Sequence, residues 1–371
     1  MNCRITIFIF LLFLLFITAC NEDNETNIPT LDEQIGQMLL VGFRGTELTD
    51  DNPIINDIEQ YNIGGVILYE KDGPTGSTPR NIESPEQVRR LVADLKSHSK
   101  EPLLIAIDEE GGVVTRLKEK YGFPATVTAQ YLGEINNEDT TRFHAARISS
   151  TLFDMGINMN FAPVVDVNIN PESPAIGALG RSFSASPETV TFHSRLFIDE
   201  LRQQNIVGCC KHFPGHGSAA ADSHLGITDV TNTWSEDELI PYRELISSGD
   251  CKMIMSAHVF NQNLDEEYPA TLSKKILTDL LRTEMNFDGV IVSDAMEMKA
   301  ITTHYGFEEA IEKAINAGCD LLIFSNNIDT FNPDVVADAV DIIHSFVDEG
   351  KISKDRIRQS YNRIMKLKET L

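Results

Sequence analysis

The sequence predicts a closed (β/α)8 barrel. Three observations carry that expectation: eight short apolar, β-rich runs, helical patterns between them, and polar residues at five consecutive run ends. Short apolar runs that alternate with amphipathic helices read as βαβ units around a parallel sheet. Eight such units over about 330 residues match a barrel, with a doubly wound sheet as the competing architecture. The first run is not followed by G-x-G-x-x-G, which counts against the doubly wound sheet.

The runs are 38–42, 65–69, 103–108, 159–167, 207–212, 253–259, 289–294 and 320–325. Helical patterns fall at 84–97, 139–155, 187–204, 235–248, 273–284, 308–317 and 353–369. Ser84 and Ser186, each followed by proline, are expected N-caps, and Ser235 with Glu238 three residues on reads as a capping box. Gly156, Gly249, Gly318 and Gly350 are expected to close helices.

The ends and the composition bound the function. The chain has 371 residues, 42% of them hydrophobic and 23% charged, with a formal net charge of −25. That balance leaves no basic surplus for phosphate backbones or anionic lipid, so neither nucleic acid nor a membrane surface is an expected partner. Residues 1–20 carry one charge, Arg4, and an apolar run too short to span a bilayer but suited to a signal peptide. The run ends in Ile17-Thr18-Ala19-Cys20, which resembles a bacterial lipobox with Cys20 as the lipidated residue. An ordinary secretory signal is the alternative. Residues 21–30 read as a flexible tether, and 31–371 as the barrel. The expected location is therefore the cell envelope, with the membrane engaged only through the lipid. Cys209, Cys210, Cys251 and Cys319 lack metal-site spacing and read as buried core thiols, with one disulfide as the alternative.

A barrel places its chemistry at the C-terminal ends of its strands. Those ends carry Asp108, Asp166, Lys211-His212, His258 and Asp294. Two segments stand out. In Lys211-His212-Phe213-Pro214-Gly215-His216-Gly217, continuing to Asp222-Ser223-His224, a carboxylate lies two residues from an imidazole. Such a pair fixes the imidazole tautomer and suits a proton shuttle near neutral pH. A backbone-bonded Asp and an exposed His are the plainer alternative. In the second segment, Ser293-Asp294 follows four apolar residues. A carboxylate there can attack an anomeric carbon, serve as a rim group or bind a metal. With Lys211 and Arg181 expected nearby, no metal and no cofactor is expected.

Together with Asp108-Glu109-Glu110-Gly111-Gly112, Asn160 to Asp166, Gly180-Arg181-Ser182-Phe183 and Pro269 to Ser273, these segments resemble glycoside hydrolase family 3. The resemblance runs from Leu31 to Leu371 and is strongest in the His-Phe-Pro-Gly-His-Gly to Asp-Ser-His stretch, which is similar to the single-domain β-N-acetylglucosaminidase branch. It implies Asp294 as nucleophile, His224 as acid/base with Asp222 as its partner, and Asp108, Arg181, Lys211 and His212 as residues that grip the sugar. It also implies a retaining exo-β-N-acetylhexosaminidase acting on terminal N-acetylglucosamine of glycans or peptidoglycan fragments; a monomer is the expected state. A β-glucosidase or xylosidase, a glycoside phosphorylase and a non-catalytic glycan-binding lipoprotein are the alternatives. Ending at residue 371, the chain has no second domain to lend an acid, so the acid is expected from a barrel loop. Loop 70–82 is longer than the pattern and is expected to affect leaving-group recognition.

Overall fold

Eight parallel strands close a barrel in a computed structural model that describes residues 29–371 except 223–225 and 227. The strands are β1 Leu39–Gly42, β2 Gly65–Leu68, β3 Leu104–Ile107, β4 Met159–Asn160, β5 Val207–Phe213, β6 Met253–Ser256, β7 Val290–Ala295 and β8 Leu321–Phe324. Each pairs with its sequence neighbours, and β1 closes on β8 in the register Leu39↔Leu322. Closure excludes the doubly wound sheet. All four residues of β1, β2, β3, β6 and β8 are buried, as strands covered on both faces require. Residues Leu31–Leu371 form one compact unit.

Two of the three expected N-caps start their helices. Ser84 Oγ accepts from the Gln87 amide and Ser186 Oγ from the Thr189 amide, with proline at the first helical position of both Pro85–Ser97 and Pro187–Arg202. The four expected closing glycines all lie at positive φ. The capping box at 235 does not form. Ser235 Oγ accepts from Asp237 N, a 3-10 turn Glu236–Leu239 precedes the helix Ile240–Ser247, and Glu238 turns inward and is buried. The 273–284 pattern winds as a π-helix, Lys275–Glu284.

Two runs lose three or more residues, for physical reasons. The fourth stops after Asn160, because Pro163 has no N–H for a ladder. Beyond it the chain stays beside β5 through separate contacts, the Cys209 amide to the Ala162 carbonyl at 2.9 Å and the Val164↔Lys211 bridge among them. The sixth stops after Ser256, and Val259–Phe260 pairs instead with Thr228–Asp229. The signal, lipobox and tether readings fall on residues outside the described ones, apart from Pro29 and Thr30. No helix of the described residues is long and apolar enough to cross a membrane. Cys209, Cys210, Cys251 and Cys319 are free and buried, as the core-thiol reading expects.

Candidate active site

The mouth at the C-terminal ends of the strands is organised by the loop leaving β3. Asn160, the last residue of β4, holds Glu109 from both sides: Oδ1 accepts from its amide and Nδ2 donates to its carbonyl, each at 3.0 Å. The Glu109 carboxylate folds back to accept from Thr115 Oγ1 and from the Arg116 and Leu117 amides at 2.8 and 3.0 Å. This loop of nine residues, Asp108 to Arg116, therefore returns on itself, and Arg116 Nη2 reaches Asp108 Oδ2 at 3.1 Å. Gly111 and Gly112 make the turn at positive φ, where a side chain on Gly112 would overlap Thr128.

Lys211 and His212 enter from β5. Against β6 the register shifts between Lys211 and Phe213, so that two residues of β5 oppose one of its partner. A bulge of this kind re-aims side chains at a barrel rim. Lys211 Nζ bridges two carboxylates, Asp108 at 2.9 Å and Glu110 at 2.7 Å. Arg181 grips the same Glu110 with two hydrogen bonds of 2.8 and 2.7 Å and donates a third to the Ala175 carbonyl. The result is a chain of alternating charge, Arg116–Asp108–Lys211–Glu110–Arg181, with Lys118–Glu70 attached at its outer end through Arg116.

Its electrostatics follow from burial opposed by close cations. Burial raises the Asp108 carboxyl, but Lys211 and Arg116 hold it well below the usual carboxylate range. Burial likewise opposes ionisation of Glu110, yet Arg181 and Lys211 bring it down to about 2. Arg181 and Lys211 are in turn raised by these carboxylates against the lowering effect of burial. Both carboxylates and both cations are charged across the physiological range.

A second layer orients His212. Its Nδ1 lies 2.7 Å from Asp166 Oδ2, which requires Nδ1 to carry the proton. Asp166 Oδ1 accepts from the His212 and His216 amides at 3.2 and 2.8 Å, so one fully buried carboxylate sets both the ring and the backbone of the segment after β5. His212 Nε2 is left facing Arg181 Nη2 at 3.4 Å. Burial, with His212 beside it, pushes the His216 imidazole down to about 4.

Asp294 is the fifth residue of β7, half-buried, and its Oδ1 accepts from the Ala295 amide at 2.7 Å. His258, between β6 and the short Val259–Phe260 pair, braces that strand end with a hydrogen bond from Nε2 to the Ala295 carbonyl at 2.9 Å. Asp222 is half-buried in the loop after β5. His224 lies outside the described residues. The structure thus brings Asp108, Arg181, Lys211 and His212 into one cluster and puts Asp294 at the same mouth. Sequence reasoning passed over Glu110 and Arg116, which complete the charge chain. Arg116 eight residues after Asp108 was the available signal, since only a returning loop makes use of it.

Loop 70–82 is tied down at several points. Asp72 accepts from Arg44 Nε at 2.7 Å and Arg80 Nη1 at 2.9 Å, and Arg80 also donates to the Asn326 carbonyl at 2.9 Å. Those bonds fasten it to the segments after β1 and β8.

Comparison with known proteins agrees with this geometry. Residues 30–367 match the glycosyl hydrolase family 3 N terminal domain. A beta-hexosaminidase of Tolumonas auensis is 36% identical over 294 residues, covering 78% of this chain and 83% of that protein. Beta-hexosaminidase A of Pseudoalteromonas piscicida is 30% identical over 404 residues, covering 96% of this chain but 64% of its own length. The solved structure of a family 3 beta-N-acetylglucosaminidase from Paenibacillus sp. str. FPU-7 superposes with a TM-score of 0.83 at 34% identity, covering 92% of this chain and 62% of the other.

Proposed function

The chain belongs to glycosyl hydrolase family 3, and on that premise we propose that it is a retaining, exo-acting β-N-acetylhexosaminidase that removes terminal, non-reducing β-linked N-acetylglucosamine. The observation that carries the reading is the charge chain at the barrel mouth. Asp108, Lys211 and Arg181 are fixed donors and acceptors for sugar hydroxyls, and Asp294 ends a strand of the same rim. Similarity to beta-hexosaminidases supports the choice of sugar.

In the proposed reaction the Asp294 carboxylate attacks the anomeric carbon as the bond to the leaving oxygen breaks, and the leaving oxygen takes a proton from His224. Water then attacks the glycosyl ester, gives its proton to His224 and frees Asp294. Asp222 would orient His224 and favour its protonated form. Ionised Asp108 would accept from a sugar hydroxyl while Lys211 donates, and His212, its Nδ1 proton held by Asp166, would present Nε2.

The test is a panel of nitrophenyl glycosides of N-acetylglucosamine, glucose and xylose, followed by ¹H NMR during turnover. Hydrolysis of the first with β-anomer product supports the reading. Preference for glucose or xylose, or an inverted product, overturns it. Running the reaction with and without phosphate separates a hydrolase from a phosphorylase. We also propose that Cys20 is lipidated, that the barrel is held at the cell envelope, and that it acts as a monomer. The Ile17-Thr18-Ala19-Cys20 sequence supports the anchor. Mass spectrometry of the mature N-terminus checks it, because an unmodified Cys20 would exclude it. Light scattering of the released domain checks the monomer.

A further inference from the structure

The segment after β5 is held from behind by a carboxyl that the proposed reaction does not use. Glu238 is completely buried, and its Oε2 accepts from the Gly217 amide at 2.9 Å. Packing there is close: a Cβ on Gly215 would lie 2.6 Å from both Glu238 Cβ and Oε2, and Gly215 stands at φ +127. Trp234, just before the same 3-10 turn, donates Nε1–H to the Pro214 carbonyl at 3.1 Å. From the opposite side Asp166 accepts from the His216 amide, and Asn170 bonds the Gly217 and Ala219 carbonyls at 3.0 Å each. A Cβ on Gly217 would lie 1.8 Å from the Val167 carbonyl oxygen, so the segment is clamped between two walls.

We propose that Glu238 is a positioning residue that, as a neutral acid, seats the 214–219 segment against the barrel mouth and so aligns His212 and the approach to Asp222. The proposal rests on the hydrolase reading for its consequence in catalysis. Among the described residues no cation pairs with Glu238, so ionisation would place an unpaired charge in a dry layer, which is strongly unfavourable. The charged group acting on that layer is Asp166 from the far wall, while hydrogen bonds from Ser218 and Gly217 partly offset the effect of burial. Burial, with Asp166 nearby, raises the Glu238 carboxyl to about 8. Above that pH the carboxylate gains water only if the segment moves outward, because it lies between Gly215, Gly217 and the helix. His212 and the start of the loop towards Asp222 would move with it.

The experiment compares wild type, Glu238→Gln and Glu238→Ala on 4-nitrophenyl N-acetyl-β-glucosaminide from pH 6 to 9, with thermal unfolding at each pH. Glutamine keeps the acceptor for Gly217 and cannot ionise. Wild-type KM is expected to rise about threefold or more between pH 7 and 9, while Glu238→Gln changes by less than about twofold. Wild-type melting temperature is expected to fall relative to Glu238→Gln as pH rises from 6 to 8, as a proton bound only by the folded state requires. Glu238→Ala should weaken substrate binding at every pH. Parallel KM and melting profiles for wild type and a folded Glu238→Gln would overturn the proposal. Inactive wild type would sink the hydrolase reading alone, and the melting profiles would still decide the role of Glu238.

Discussion

The barrel has two dense clusters of buried charge, one at each end, and they differ in what they leave open. At the floor, Asp320 precedes β8 and is fully enclosed: it accepts from Arg282, Arg356 at 3.1 Å, Ser360 at 3.0 Å and the Ile291 amide at 3.0 Å. These partners come from β7, the π-helix and the last helix, Lys354–Lys368, so Asp320 ties three elements to one strand end. At the mouth, Asp108 is paired just as closely but keeps 16% of its side chain exposed, against 0% for Asp320. Buried ion pairs alone therefore do not mark a binding site. A site needs a fixed charge with one edge still turned to solvent, at the end of the barrel where loops gather.

The sharpest way to break this contrast is to remove a group at the mouth and measure rate and stability separately. Asp294→Ala is expected to lower kcat by about 10³-fold or more, the scale of losing a covalent catalyst, while unfolding within about 1 kcal/mol of wild type. Equal kcat in the two proteins would remove Asp294 from the mechanism. At the floor the result should invert. Asp320→Ala strands Arg282 and Arg356 without their carboxylate, which is expected to destabilise by about 3–5 kcal/mol. Its folded fraction should turn over at the wild-type rate, as active-site titration with denaturant melts would reveal. A rate defect without a stability defect would mean that the two ends are not specialised as described.

A smaller effect tests whether the mouth also contributes to stability. The Glu110 carboxyl ionises at about 2 in the folded protein, below its ordinary 4.5. Between those values the unfolded chain binds more protons, so stability rises with pH through this window and is lost as pH falls through about 2. Glu110→Gln is expected to flatten that slope by up to about 1.4 kcal/mol per pH unit. It should also weaken sugar binding, because Arg181 and Lys211 lose the carboxylate that orients them. An unchanged acid limb in urea melts between pH 2 and 4.5 would show that Glu110 is not held by its cations.

The floor and the mouth were not equally legible in the sequence. The barrel was, because eight apolar runs bounded by turns leave few alternatives. Asp108, Lys211, His212 and Asp294 were, because each closes a run. Glu110 was not: in Asp108-Glu109-Glu110 three acids are adjacent, and which one points at Arg181 depends on how Asn160 and Thr115 pin the loop. Asp166 was visible as a strand-end acid but not as the partner of His212, since the run breaks at Pro163 and side-chain alternation stops there. Glu238 was misread because Ser235 three residues earlier imitates a capping box, and only burial under Gly217 reveals its other partner. Asp320 drew no attention because its arginines come from distant helices.

The smallest expected effect concerns groups that belong to neither cluster. Cys209 and Cys210 lie on β5, Cys251 just before β6 and Cys319 just before Asp320, all buried. Burial pushes the Cys209 thiol well above its ordinary range and the Cys319 thiol up to about 12, so neither is a ready nucleophile or redox partner at neutral pH. Reductant should therefore shift the melting temperature by less than about 1 °C, because no cross-link constrains the unfolded chain. Iodoacetamide should label these positions only after denaturation, with peptide mass spectrometry as the readout. A melting temperature that drops several degrees in reductant would place a disulfide beside β5. The register shift that aims Lys211 and His212 would then owe its position to a covalent constraint, and the mouth could no longer be treated as a product of strand packing and ion pairing alone.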